Sequence, residues 1–279
     1  MAQHVLKNTG ATLQESFSQG AADGAVTVTA VRADGTTAST GSATHATGGD
    51  YTYFLPPQVE LDQLTVTWAG SWAGIAQSLV SHVEIVGEFL FTIADARTFG
   101  DRVLADTSRY PDADIRAARE RVTDLFDQVC HVSFVPRYGR DTLDGTNSDT
   151  LDLTHRRPRR IISGSLQGVA LTSQQIADVA LYPGGRAVWI SGTWWSWRRN
   201  SIVLAYEHGW PAPPTDISRA ALVLARYDLV SNDISDRMIA FDNDLGTVRL
   251  SIPGRQFPTG IPIVDATLAR YDECPLLLA

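Results

Sequence analysis

Three groupings of side chains have the composition to do chemistry. The run His155-Arg156-Arg157-Pro158-Arg159-Arg160 places four guanidinium groups within reach of a phosphate. The competing reading is a solvated loop leading into a strand, or ion pairs to a neighbouring acidic subunit. It is preferred here, because the chain is acidic overall and a lone basic run is a common false positive. The second grouping is Trp194-Trp195-Ser-Trp197-Arg198-Arg199. Three indoles beside two cations form a stacking platform for a sugar or a single strand, or the anchor of a protein interface, where Trp and Arg are enriched. Large exposed apolar patches usually mark partner sites, so the interface reading is preferred. The third is Glu207-His208, a carboxylate–imidazole pair of the general-base type. It stands at a predicted strand end ahead of a Gly-Trp-Pro turn and is read as structural.

No other constellation emerges. The six histidines show no pair at metal-ligand spacing, and Cys130-His131 are adjacent with no second pair. Asp242-Asn-Asp244-Leu-Gly246 has calcium-loop elements out of register and reads as a polar turn. There is no phosphate-cradling glycine loop and no Gly-x-Ser-x-Gly elbow. The expectation is therefore no catalytic, metal or cofactor site, and no enzyme. The two cysteines, Cys130 and Cys274, are read as reduced thiols.

The chain has 279 residues and a net charge of −8, with 44% hydrophobic content. Residues 1–90 hold two basic and eight acidic residues, so most of the negative charge lies there. Such a chain is a poor non-specific DNA binder, because phosphate affinity comes from Lys and Arg releasing counterions. No apolar run is long enough for a transmembrane helix, and no secretory signal is expected at Met1 to Lys7.

These side chains must be carried by two kinds of element. Up to about residue 90 the pattern is period-2: Ala25 to Val31, Tyr51 to Leu55, Leu64 to Trp68 and Ser81 to Val86, with a hairpin turn at Asp34-Gly35. Short Thr- and Val-rich strands suggest an immunoglobulin-like β-sandwich. Residues 91–99 read as a short helix. Ile115, Ala118, Val122, Leu125, Phe126 and Val129 form one apolar stripe of a helix over 112–130. Strands follow at Phe134-Val135, Thr150 to Leu153, Ile161-Ile162, Val188 to Ile190 and Ile202 to Tyr206, with a second Asp-Gly turn at Asp144-Gly145. Pro213-Pro214 delays the next helix, which Thr215 or Asp216 can cap. That helix is apolar on nearly every side and must be covered on more than one face. A strand over 247–252 and a short helix over 263–271 complete the chain. Leu276, Leu277 and Leu278 at the end are read as an apolar segment that docks onto a partner subunit, the alternative being a tail that folds back onto its own core. The fold class is α+β: a sandwich accessory domain over 1–90, then a second domain over 91–279.

Taken in order, several of these segments resemble the head–tail connector, or adaptor, proteins of long-tailed double-stranded-DNA phages of actinobacteria. They are Ile115 to Phe126, Ser133-Phe-Val-Pro-Arg137, Ser201 to Pro211 with its Gly-Trp-Pro, Pro213 to Arg226, and Pro258 to Tyr271. The resemblance implies a small helical bundle with a β insertion. It implies a homo-oligomeric ring, usually a dodecamer, seated under the portal protein. Such a ring extends the portal channel, lets DNA pass its lumen without specific binding, and docks stopper, tail-completion or tail-terminator proteins. The location implied is the virion head–tail interface, reached from the host cytoplasm during assembly, with no membrane. The minimal connector lacks the sandwich, which is left to decorate the ring or to touch the major capsid protein. The rival reading is a carbohydrate-binding or adhesion module built on the sandwich and Trp194, Trp195 and Trp197.

Overall fold

The structure, a computed structural model, describes residues 3–192, 194–230, 240–243, 246–249 and 258–272. The N-terminal strands are β1 (Gln3–Leu6), β2 (Ala11–Ser16), β3 (Thr27–Val31), β4 (Thr37–Ser42), β5 (Thr44–His45), β6 (Asp50–Leu55), β7 (Asp62–Trp72) and β8 (Ile75–Val86). Helices α1 (Ile93–Thr98) and α2 (Asp112–Cys130) follow. Then come β9 (Arg137–Leu143), β10 (Thr150–Asp152), β11 (Pro158–Leu166), β12 (Val169–Ala170), α3 (Ser173–Ala177), β13 (Val179–Tyr182), β14 (Arg186–Trp189) and β15 (Ile202–His208). The chain continues through α4 (Thr215–Leu229), β16 (Ala240–Asn243), β17 (Gly246–Arg249) and α5 (Pro262–Leu268). The fold is α+β, a β-sandwich with a helical part.

Packing divides the chain into two units. One is Met1–Glu88 with Pro136–Gly209, and the other is Phe89–Val135 with Trp210–Ala279. The expected boundary near residue 90 falls beside the first crossing point. The expected single domain over 91–279 is arranged differently, because the strands over 136–209 pack with the N-terminal sheets. The cause is local: Leu61, Tyr138 and Ala205 form a shared buried cluster, and Gly87 N–H donates to Pro136 O at 2.9 Å.

In the sandwich, the order β1-β8-β7-β3-β4 faces a smaller sheet β2-β6-β5. Period-2 burial explains the pairing of faces: Leu64, Val66 and Trp68 of β7 point inward, while the alternating Gln63 and Thr65 are exposed and Thr67 is half-buried. The core between the sheets also takes Leu13, Tyr53, Leu55 and Ile85. Its tryptophans satisfy their ring N–H groups, Trp68 on Ser81 Oγ at 3.1 Å and Trp72 on Gly20 O at 2.9 Å. The predicted Asp34-Gly35 turn is present, with Gly35 at φ 89° and Asp34 Oδ1 accepting from Thr36 N at 2.8 Å.

The rest of this unit is a second pair of small sheets, β12-β11-β15-β9 and β10-β14-β13, around Trp189, Trp195, Leu204 and Tyr206. Here one expectation fails. Asp144-Gly145 joins no hairpin, because β9 pairs with β15 and β10 with β14. Gly145 is instead required by a close approach: a Cβ there would overlap the Ser196 carbonyl oxygen.

The helical unit is built on the α2 stripe. Ile115, Ala118, Val122 and Phe126 are buried as the spacing predicts, and α2 packs on α4, which packs on α5. On α4, Ile217, Ala220, Ala221, Leu224 and Ala225 are buried, and the alanines allow close helix approach. No side chain caps α4; Pro214 occupies the cap position and Asp216 Oδ1 accepts from Ile217 N instead. Phe134-Val135 form no strand. They lie in a loop, buried in the helical core, because Phe134 is needed edge-on against Tyr271, with ring centroids 5.6 Å apart. Tyr271 also meets Trp210 edge-on at 5.8 Å, and Trp210 N–H donates to Ser133 O at 3.0 Å. The predicted strand over 247–252 is present as far as Arg249 in β17, paired with β16; Leu250, Ser251 and Ile252 lie outside the described residues.

Candidate protein interface

The basic run is divided by its strand geometry. Arg159 and Arg160 open β11, where β15 places Glu207 opposite Arg160. Arg159 forms an ion pair with Glu207, and Arg160 reaches Glu60 at 2.7 Å and Glu207 at 3.8 Å. Arg156 and Arg157 are half-buried, Arg157 with a left-handed φ of 52°, and Arg157 O accepts from Gly209 N at 3.0 Å. Four parallel guanidiniums do not result. Two of them, Arg159 and Arg160, hold acids within the same unit.

The tryptophan grouping is divided as well. Trp195 is 0% exposed, whereas Trp194 is 57% and Trp197 78% exposed. The Trp195 ring lies 4.9 Å from Trp189 and its N–H donates to Asp149 O at 3.0 Å. This corrects the expectation that Trp195 belongs to a surface site: an isolated bridge to Ser148 turns it into the core. Trp194, Trp197, Arg198 and Arg199 remain at the surface. Arg198 approaches Gln167 Oε1 at 3.5 Å. Ile190 is also exposed, at 68%. A depression on the β10-β14-β13 sheet is lined by Thr150, Tyr182, Gly184, Arg186 and Val188, and neither exposed tryptophan lines it. The remaining candidate interface residues, Leu276, Leu277 and Leu278, lie outside the described residues, as do Cys274 and Asp244.

One cluster is not legible in the sequence. His208 stacks on His155 at 4.1 Å with planes 18° apart. The Tyr206 hydroxyl donates to Asp141 Oδ2 at 2.7 Å, and its oxygen lies 3.0 Å from His155 Nδ1. Asp141 also accepts from Thr154 N at 2.8 Å. Gly139 makes the space, since a Cβ there would lie 3.1 Å from each of the three rings. Burial pushes His208 down to about 3 and lowers His155. Burial and the Asp141 hydrogen bond raise the Tyr206 phenol, which stays a neutral donor. Beside them, Arg137 Nη2 is 2.8 Å from His4 Nε2 and its Nε is 3.5 Å from Glu84. Burial would raise the Glu84 carboxyl, but His4 and Arg137 outweigh it and hold it below the usual range. Glu207, next to His208 in sequence, is held by two arginines, Arg159 and Arg160. The cluster is a closed polar clamp between strands, in which neutral imidazoles pack as aromatic rings.

Among the described residues, no helix is long and apolar enough to cross a membrane, and no group of three His, Cys, Asp or Glu side chains is placed to hold a metal. No protein-family model matches the chain, and no curated protein matches it. Among solved structures, the chain is similar to one described as the neck of an empty GTA particle computed with C6 symmetry. The TM-score is 0.45 and the identity 16%, over 68% of this chain and 93% of that one.

Proposed function

We propose that this chain is a structural virion protein, an adaptor that forms a ring at the head–tail interface. The observation that supports the reading is the convergence of the resembling segments. Ser133-Phe-Val-Pro-Arg137, Gly209-Trp-Pro211 and Pro258 to Tyr271 are distant in sequence, yet Phe134, Trp210 and Tyr271 meet in one aromatic cluster. The clearest helices of the resemblance, α2 and α4, share the same core. A helical bundle interrupted by β structure is what the resemblance implies. In this reading the ring extends the portal channel and presents Trp194, Trp197, Arg198 and Arg199 to another protein, either an adjacent copy or the portal, stopper or tail-completion protein. The net charge of −8 suits a conduit that must not grip its cargo. The role is non-enzymatic. The sugar-binding reading loses its three-ring platform once Trp195 is in the core.

The test is a reconstruction of assembled particles together with the gene neighbourhood. Multiple copies at the head–tail joint, from a gene beside portal and capsid genes, are expected. Particles that carry no copy at the joint overturn the reading.

A further inference from the structure

The larger sheet of the sandwich has two open edges. At one, β1 covers β8 only from Val83 to Val86, so on the side away from β7 Ile75–His82 has no strand beside it among the described residues. At the other, β4 pairs with β3 alone among the described residues. The direction of the free groups on β8 follows from its turn. Trp72 pairs with Ile75 across Ala73-Gly74, whose φ values are 50° and 77°. Two positive φ values mark a two-residue hairpin turn of the primed type, closed by a doubly hydrogen-bonded pair. Alternation along an antiparallel ladder then turns Ala76, Ser78, Val80 and His82 outward, with N–H and C=O toward the open edge. The same parity holds at Val86, whose carbonyl accepts from Lys7 N at 2.9 Å on that side.

The β8 edge lacks the usual protection, and the β4 edge carries one irregularity, a register shift that leaves Ala38 unpaired between Thr37 and Ser39. Long, regular edge strands are normally blunted by Lys, Pro, inward charges or bulges. Ile75–His82 reads Ile-Ala-Gln-Ser-Leu-Val-Ser-His, and β4 reads Thr-Ala-Ser-Thr-Gly-Ser, with no Lys, Arg, Asp, Glu or Pro in either. The β7–β8 register runs without a bulge. Ile75 is 64% and Val80 55% exposed. The edge strand β9 of the neighbouring sheet, by contrast, carries Arg137, Arg140 and Asp141.

We propose that the β8 edge of one copy pairs with the β4 edge of the next, so that the sandwich sheet continues from subunit to subunit; this rests on the ring reading above. The occupant is a second copy because one chain offers both uncharged edges, on opposite sides of one sheet. Two different edges meeting make a head-to-tail contact, which repeats from copy to copy and closes into a ring where the rotation between neighbours allows it. Two β8 edges meeting each other would stop at a dimer and leave both β4 edges bare.

The test uses assembled particles. Val80→Cys is combined in turn with Ala38→Cys, Ser39→Cys and Thr40→Cys, so that register does not hide the contact, and the particles are oxidised. A reducible ladder extending beyond dimer is expected from at least one pair, with monomer from each single variant and from the unaltered chain. Separately, Val80→Pro removes an outward donor without touching the β7 bonds. It should melt as the unaltered protein does yet enter particles at least tenfold less. Monomer from all three pairs overturns the proposal when the chain is present as a ring at the joint, which leaves the ring reading intact. So does a dimer from Val80→Cys alone. Absence of the chain from the joint overturns the ring reading and this proposal with it.

Discussion

His208 is 5% exposed and stacked on a second imidazole, so its protonation is a stability event. Its charged form is opposed by burial first, then by His155 and Arg137. Asp141 and Glu84 face His155 with the opposite sign, and Tyr206 contributes a neutral hydroxyl. The folded-state value of about 3 lies below the ordinary 6.5. Between those limits the unfolded chain binds a proton that the native one refuses. The contribution of His208 is therefore complete above pH 6.5 and is lost as pH falls from there toward 3. Glu84, with its lowered value, acts in the same direction further down. On going from pH 7 to pH 5, His208 should account for a loss of roughly 2 kcal/mol. His208→Phe keeps a ring in the stack and should flatten the fall in melting temperature over that interval. An unchanged pH profile would show that the clamp does not hold its imidazoles neutral. Two tryptophans make the complementary case. Trp195→Ala empties a fully buried site and should cost about 3–5 kcal/mol. Trp197→Ala, at 78% exposure, should leave the melt within about 0.5 kcal/mol while lowering incorporation into particles. Equal stability losses from the two would contradict the split of the cluster. Nothing in the spacing of Trp194, Trp195 and Trp197 separates them; only the bridge of Trp195 to Ser148 does.

Elements with a strong period are the ones readable in advance. The α2 stripe and the alternation in β3, β6 and β7 each place one apolar face on a core. β4 is invisible to the same reasoning, since Thr-Ala-Ser-Thr-Gly-Ser has no apolar alternation and sits at an edge with little to bury. Phe134-Val135 mislead for the opposite reason: an apolar pair is compatible with a strand, but tertiary packing against Tyr271 claims it for the helical core. Asp144-Gly145 carries a hairpin signature, yet its glycine serves a close backbone approach. The His155–His208 stack depends on the register of β15 against β11 and β9, which local sequence does not specify. Gly145 gives a test at this scale. Gly145→Ala forces the loop of Ser196 away and should destabilise the unit by about 1–3 kcal/mol. Gly184→Ala, with nothing near its Cβ, should change little by comparison in the same melts. Equal effects would place the cost in backbone freedom rather than in the contact.

At the scale of the molecule, a boundary near residue 90 is visible in the change of period, but the grouping of 136–209 with the N-terminal sheets is not. It depends on Leu61, Tyr138 and Ala205, which come from three separate strands or loops. The helical unit is therefore discontinuous, and its two halves carry their own closure. Trp210 N–H meets Ser133 O at 3.0 Å, so the chain leaves and re-enters this unit at nearly one point. Joining Val135 to Trp210 through a few Gly and Ser residues should then restore the path without strain, since short flexible loops cost little to close. A chain of residues 89–135, that linker and residues 210–279 contains the whole buried cluster from Leu90 to Leu268. It is expected to melt cooperatively with a helical spectrum, and Phe126→Ala within it should lower stability by about 3–5 kcal/mol. A chain of residues 89–279, by contrast, keeps the strands over 136–209 but strips Leu61 from beside Tyr138 and Ala205. It should show a second, weaker transition from those strands. If the linked helical chain is unfolded while residues 89–279 melt as one cooperative body, the strands over 136–209 belong energetically to the helices, and the discontinuous division is wrong.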